Sequence, residues 1–442
     1  MVSGFLFIAF WEPLFIIIFG TCLLFDFFCA RSIQLEKNKY IRKFFYGVAL
    51  LFYLNVFIVF HYYDFFFDKF LFVLEANEVK GSSLIPLLLP IGIMFIVLQS
   101  VSYITDVYFH RCRASENLYT YAAFYLFFPR IAAGPLERCS KILVQFQRAK
   151  VFNRTLGADG IRQFTWGLFK KVVVAESCRV QTDFIFNGYE TLPGSVLILG
   201  AVLFSVQIYA DFSGYCDMAC GIGKMFGIRL SDNFRYPYFS RDIAEFWRRW
   251  HITLSGWFRD YVYIPLGGSK GGGFRKIFNV FAIFAVSGIW HGIGWHYFVW
   301  GMLNALYIIP LVIAKRNRTH LNNPGRFDQV EWRELVQMFW TFLLVSLTWV
   351  FFRSDSLWDA ILFCSGFFFE TFSMEFFNYL VPLPFALILF GTDWVNRHRK
   401  EAFFSHRTWI NVLFYIGLVV LMIFFGHWGH QFIYWDGINF NF

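Results

Sequence analysis

Long apolar runs that do not alternate, such as Leu14–Leu24 and Val412–Phe425, constrain this chain more than any other feature. In hydrocarbon every backbone N–H and C=O must be satisfied internally, so only helices and closed barrels cross a membrane. A barrel strand would show segments of about ten residues with alternating hydrophobicity. The runs here are continuous, so the sequence predicts membrane-crossing helices. The chain is 57% hydrophobic and 16% charged, where soluble domains carry about 25% charge. The expected fold class is therefore an all-α integral membrane protein, with residues 1–442 forming a single polytopic domain. No repeat, low-complexity linker or separable soluble domain breaks it.

Lys and Arg in the connecting loops set the expected topology. Loop 26–43 carries Arg31, Lys37, Lys39, Arg42 and Lys43 and is read as cytoplasmic. The stretch 61–84 is acid-rich and 354–378 has no Lys or Arg, so both are read as outer. Basic inner regions follow at 104–162, 211–276 and 315–333. About ten spans result, with both termini outside. They begin with the N-terminal run and continue near 44–60, 85–103, 163–180, 195–210, 277–295, 297–314, 336–352, 379–395 and 409–425. The first run is read as a retained span, because no Lys or Arg precedes it and Glu12-Pro13 interrupts it. Lys170-Lys171 weakens the span at 163–180. The run at 119–128 is too short to cross, since a span needs about twenty residues. With FFPRIAAGP (Phe127–Pro135) it is expected to be re-entrant or interfacial. The net charge of +9 is a topology signal, not a nucleic-acid signal. Cys216 and Cys220, four apart, are read as packing residues because no His or Cys partner sits nearby, and no metal site is expected.

Polar residues concentrate between Tyr209 and Trp300, where an intramembrane ionisable group is by default a functional candidate. His291, between Trp290 and Gly292, is the candidate catalytic base: neutral imidazole near pH 7 can take a proton from an attacking hydroxyl. The bland alternative is a histidine bonded to a neighbouring helix carbonyl. FWRRWHITLSGWFRDY places Phe246, Trp250, Leu254 and Trp257 on one face if it is a single helix. Arg248 and Arg249 then either meet lipid headgroups or grip the phosphates of an acyl donor. His251, Asn233 and Asp260 are weaker candidates for support or donor binding, and the Trp290 indole is a candidate oxyanion donor. Gly267–Gly273 lacks P-loop spacing and reads as a turn or a phosphate cradle. Asp211 and Asp217 are expected to pair with cations, and His427 and His430 to be interfacial. The window 211–276 is expected to form cytoplasmic-side amphipathic or re-entrant helices.

FFPRIAAGP, DFSGYCDMACGIGKMFGIRLSDNFRYPY, SRDIAEFWRRWHITLSGWFRDYVYIPLGG and SGIWHG together resemble the membrane-bound O-acyltransferase family, and most nearly its alginate O-acetyltransferase branch. The resemblance is dense over 100–310, which it marks as the family core. It implies helices ringing a central funnel or tunnel in a bacterial inner membrane, with His291 as the family histidine. It also implies an acyl donor, acetyl-CoA or an acyl carrier, with no bound cofactor. The partners implied are a periplasmic or cell-surface hydrolase-like acetyltransferase and an alginate-like polysaccharide acceptor outside. Two other functions fit the sequence. One is D-alanyl transfer to teichoic acid through a carrier protein; the other is a transporter with a His-lined pore.

Overall fold

The computed structural model describes residues 2–11, 13–62, 92–321, 330–369, 373–397 and 409–428. Nearly all of the acid-rich stretch 61–84 lies outside the described residues, as does His430. Among the described residues regular structure is entirely helical. Six helices among the described residues are long and apolar enough to cross a membrane, and four shorter apolar helices accompany them. The chain is thus a multi-pass α-helical membrane protein. Contacts divide it into two compact units, residues 1–152 with 226–230 and residues 153–225 with 231–440.

The first unit is built from α1 (Val2–Trp11), α2 (Phe15–Leu35), α3 (Lys39–His61), α4 (Ile93–Tyr108), α5 (Leu118–Tyr125) and α6 (Cys139–Phe146). Its organising point is Asp26 on α2, fully buried. The Asp26 carboxylate accepts from Tyr53 Oη (2.5 Å) on α3, Ser100 Oγ (2.5 Å) on α4 and Tyr121 Oη (2.8 Å) on α5. A buried carboxylate persists only when its acceptors are satisfied, and here three helices supply the donors. The expected short segment at 119–128 is the eight-residue α5 followed by a 3-10 turn, Phe128–Arg130. Cys112 and Cys139 are joined by a disulfide, a pairing that sequence spacing did not signal.

The second unit contains α7 (Arg154–Phe169), α8 (Glu176–Asn187), α9 (Gly194–Met225), α10 (Ile243–Arg249), α11 (Ile252–Phe258), α12 (Gly273–His291), α13 (Trp295–Ile313), α14 (Trp332–Arg353), α15 (Leu357–Gly366), α16 (Leu383–Asn396) and α17 (Trp409–Phe425). Two boundaries differ from the sequence reading. The helix expected to stop at Ala210 continues to Met225, so the opening stretch of the window 211–276, residues 211–225, belongs to a 32-residue helix. At 1.5 Å per residue that is about 48 Å, well beyond a hydrocarbon core of about 30 Å. The weak span at 163–180 is a continuous helical rod, α7 and α8 joined by a π-helical turn at Lys170–Ala175.

The same ion pairs explain both differences. Lys170 Nζ meets Asp217 Oδ2 at 2.5 Å and Ser213 Oγ at 2.8 Å, and Lys171 pairs with Asp211. Gln163 Nε2 donates to the other Asp217 oxygen (2.8 Å). Four charges that each look prohibitive in an apolar helix cancel across the α7–α9 interface. That interface is close because Gly160, Gly167, Gly214 and Gly221 face opposite backbone, where an added Cβ would sit 2.5–2.8 Å from a carbonyl oxygen. The expected pairing of Asp211 and Asp217 holds, with lysines as the cations.

Candidate active site

The sequence reading treats Phe246–Tyr261 as one helix; the structure breaks it. Asp242 caps α10, its carboxylate accepting from the Glu245 N–H (2.6 Å). The helix ends at Arg249, and Trp250 is extended. His251 then adopts the left-handed region with φ +41°, uncommon outside glycine. Asn233 holds the break: its carbonyl accepts from Ile252 N–H (2.9 Å), and its side-chain oxygen from Thr253 Oγ1 (2.6 Å) and N–H (3.3 Å). Its amide donates to Cys216 Sγ at 3.3 Å. Phe246, Trp250, Leu254 and Trp257 are all buried despite the break. The hydrophobic pattern was sound, while the single-helix geometry inferred from it was not.

His251 is 4% exposed, against the Phe212 ring at 4.7 Å. Burial pushes its pKa down to about 3, so it is neutral at physiological pH. The paired arginines are committed to protein groups. Arg249 donates to Glu245 (2.8 Å) and to the Arg235 carbonyl (3.1 Å). Arg248 donates to the carbonyls of Asn317 (2.8 Å) and His320 (2.9 Å). Burial opposes the Glu245 charge, yet Arg241 and Arg249 hold its carboxyl below the usual carboxylate range. Neither the lipid-headgroup nor the phosphate-grip reading describes these contacts. Asp260 sits on a π-helical turn, Arg259–Tyr263, bound to the Arg259 guanidinium at 2.8 Å. Gly267 (φ +101°) and Gly268 (φ +56°) form the expected turn, tied to α12 by the Asn279 amide donating to the Gly268 carbonyl (3.0 Å).

His291 has a different setting. It is the last residue of α12, half-buried, with Gly292 closing the helix. Aromatic rings stand around its imidazole: Trp290 at 4.8 Å, Phe352 at 5.0 Å and Trp300 at 5.1 Å, each edge-on, and Tyr297 at 6.5 Å. Trp290, Trp300 and Phe352 are at most 3% exposed. The glycines of WHGIG are required by close approach. A Cβ on Gly292 would lie 2.4 Å from the Tyr297 ring, and one on Gly294 would lie 2.2 Å from His296. Gly288 and Gly301 seat α12 on α13 in the same way.

The candidates therefore fall into two clusters. Trp290 joins His291, while His251, Asn233, Arg248 and Arg249 gather around the α10–α11 break. Stacked and tilted indoles link them, from Trp250 to Trp349 (5.1 Å), on to Trp300 (5.8 Å), and so to His291. Sequence reasoning missed Phe352, Trp300 and Tyr297, whose spacing from His291 along the chain carries no periodic signal. The chemistry on offer at His291 is a half-buried imidazole set among aromatic rings.

Comparison with known proteins decides the family. A model of the membrane-bound O-acyltransferase family matches residues 14–330. The chain is 36% identical over 364 residues to the probable alginate O-acetylase of Pseudomonas putida, covering 81% of this chain and 71% of that protein. The chain belongs to the membrane-bound O-acyltransferase family. It is also 32% identical to the peptidoglycan O-acetyltransferase of Helicobacter pylori, over 82% of this chain and 71% of that one. A teichoic acid D-alanyltransferase from Bacillus subtilis is 30% identical over 49% of this chain and 57% of its own. The matched stretches span 55–71% of the alginate-type relatives' own length. As a membrane-bound O-acyltransferase, the protein is an enzyme that forms esters on hydroxyl groups, and the matched region contains both histidine clusters.

Proposed function

We propose that this O-acyltransferase transfers an acetyl group from a cytosolic thioester, acetyl-CoA, to a hydroxyl of an exported cell-surface polysaccharide. His291 is the general base. The observation that carries the reading is the contrast at the two histidines: His291 is partly open at a helix end, whereas His251 is sealed. The names of the alginate and peptidoglycan relatives support the acceptor class.

The acceptor hydroxyl gives its proton to the imidazole as its oxygen bonds to the acyl carbon. The carbon–sulfur bond then breaks, and the imidazolium returns the proton to the departing thiolate. Rings locked on several sides hold the imidazole ready, and such orientation supplies part of the barrier reduction without reorganisation. The Trp290 indole N–H is the candidate donor to the developing oxyanion. A cytosolic donor goes with a location in the inner membrane. The acceptor is reached directly or through a periplasmic or cell-surface hydrolase-like acetyltransferase.

In proteoliposomes given labelled acetyl-CoA, acceptor glycan and the hydrolase-like acetyltransferase, wild-type protein transfers label and His291→Ala does not. Equal transfer by a well-folded His291→Ala variant removes the histidine from the mechanism. The B. subtilis relative supports a second reading, D-alanyl transfer from a carrier protein. Label moving from a D-alanyl carrier and not from acetyl-CoA selects it.

A further inference from the structure

The rings around His291 include one whose polar atom the fold leaves unused. Trp300 sits on α13, which Gly288 and Gly301 seat closely against α12. It is 1% exposed, and its indole N–H has no acceptor among the described residues. A buried indole usually finds a partner for its N–H, and a donor left unpaired in the interior lowers stability. The neighbouring Trp247 shows the ordinary solution, its N–H donating to Asn304 Oδ1 at 3.2 Å. Asn304, one turn beyond Trp300 on the same helix, gives its amide to the Trp300 carbonyl at 2.9 Å. The backbone of Trp300 is thus served, and its indole is not.

Four rings define the surroundings of that indole. Trp349 stacks on it at 5.8 Å, and Trp247 and Phe352 stand edge-on at 5.8 Å and 5.2 Å. The fourth is the His291 imidazole, perpendicular to it at 5.1 Å. Trp349 and Phe352 are at most 3% exposed, and Trp247 already spends its N–H on Asn304. His291 is half-buried and is where substrate arrives in the reading above. A ring packed by four others does not swing toward a distant carbonyl, so its acceptor has to come to it. The acyl group brings such an oxygen to His291.

We propose that Trp300 is a catalytic residue whose indole N–H donates to the carbonyl oxygen of the thioester and holds that oxygen as it becomes the oxyanion. This assignment rests on the acyltransferase reading above and adds a donor to the Trp290 indole. As the acceptor oxygen bonds to the acyl carbon, its proton passes to His291 and the carbonyl π pair moves onto oxygen. Trp300 keeps its proton throughout and only donates a hydrogen bond to the new charge. The pair returns to re-form the carbonyl as the carbon–sulfur bond breaks, and the thiolate takes the proton from the imidazolium. A donor preset among apolar rings needs no reorganisation when the charge appears, the condition under which such a bond contributes most.

The test compares wild-type protein with Trp300→Phe, which keeps a ring and removes the N–H. Proteoliposomes of the full chain receive labelled acetyl-CoA, excess hydrolase-like acetyltransferase, and oligo-mannuronate or a peptidoglycan fragment as acceptor. Loss of one oxyanion donor should lower kcat by about 10²–10³-fold, with both KM values within about twofold of wild type. Phenylalanine also leaves a gap, so the deciding variant is Trp300→3-benzothienylalanine, which keeps the bicyclic shape and has sulfur in place of N–H. It should show the same loss of kcat and melt at or above the wild-type temperature, because the ligand-free protein makes no use of the N–H. The pH midpoint of kcat/KM should stay in place, whereas a ring that only oriented or polarised His291 would move it. Transfer by the benzothienyl variant within about threefold of wild type overturns the inference and leaves the acyltransferase reading intact. A shifted pH midpoint, or a lowered melting temperature in that variant, does the same. Wild-type protein that transfers label to neither acceptor overturns both.

Discussion

His251 and His291 come from the same kind of sequence, a histidine beside tryptophan in an apolar setting, and the structure treats them oppositely. His251 lies in the left-handed region at a break between two seven-residue helices, 4% exposed and pushed to a pKa of about 3 by burial. His291 ends a 19-residue helix, half-buried, with tryptophan and phenylalanine rings about 5 Å from its imidazole. One ring is locked inside and proton-free; the other is oriented but reachable. A buried imidazole that cannot hold a proton near pH 7 makes a poor acid or base. Histidines near a charged motif must therefore be told apart by exposure and backbone state, because residue type alone does not separate them.

The comparison is most exposed at His291. Removing a general base typically costs 10²–10⁴-fold, so His291→Ala should lower acetyl transfer by about that factor, measured in proteoliposomes with membrane expression unchanged. A loss under tenfold would put the two histidines on equal footing. Next is the scaffold around His251. Arg249→Met leaves Glu245 with less compensation in a buried site, and breaking such a pair costs about 3–5 kcal/mol. Thermal unfolding in detergent should show a large destabilisation, with the donor KM unchanged in whatever protein remains folded. A raised donor KM at normal stability would return Arg249 to phosphate binding.

The pH response sharpens the contrast further. The folded-state pKa of His251, about 3, lies below the ordinary histidine value of 6.5. The unfolded chain therefore binds a proton that the folded chain refuses. The His251 contribution is fully present above pH 6.5 and is lost as pH falls from 6.5 toward 3, by about 1.4 kcal/mol per unit. His251→Asn should flatten that acid-side loss in melting curves taken from pH 7 to pH 5. The smallest expected effect is on catalysis: asparagine tolerates the left-handed region, so His251→Asn should keep transfer within about threefold of wild type. Collapse to the His291→Ala level would make His251 part of the machinery.

Much of the fold was legible because its signal is local. Apolar runs and the placement of Lys and Arg gave the helical membrane class and nearly every long helix. The errors fall where charges cancel between helices distant in sequence. Lys170 and Lys171 look hostile to a span, and Asp211 and Asp217 look like its end, until α7 and α9 place them opposite each other. The break at His251 was hidden for a similar reason: Asn233, about twenty residues earlier, supplies the hydrogen bonds that replace helix continuity.

By itself the sequence determined the solvent this protein lives in, the family core and the histidine most worth testing. Hydrophobicity, glycine spacing and residue order are properties that a chain displays before it folds. Only the tertiary structure decided which charges are neutralised, which arginines are already engaged, and which histidine stays reachable. Those outcomes depend on contacts between residues far apart in the chain, and a carboxylate's effect on its surroundings is fixed only once its partner and its burial are known.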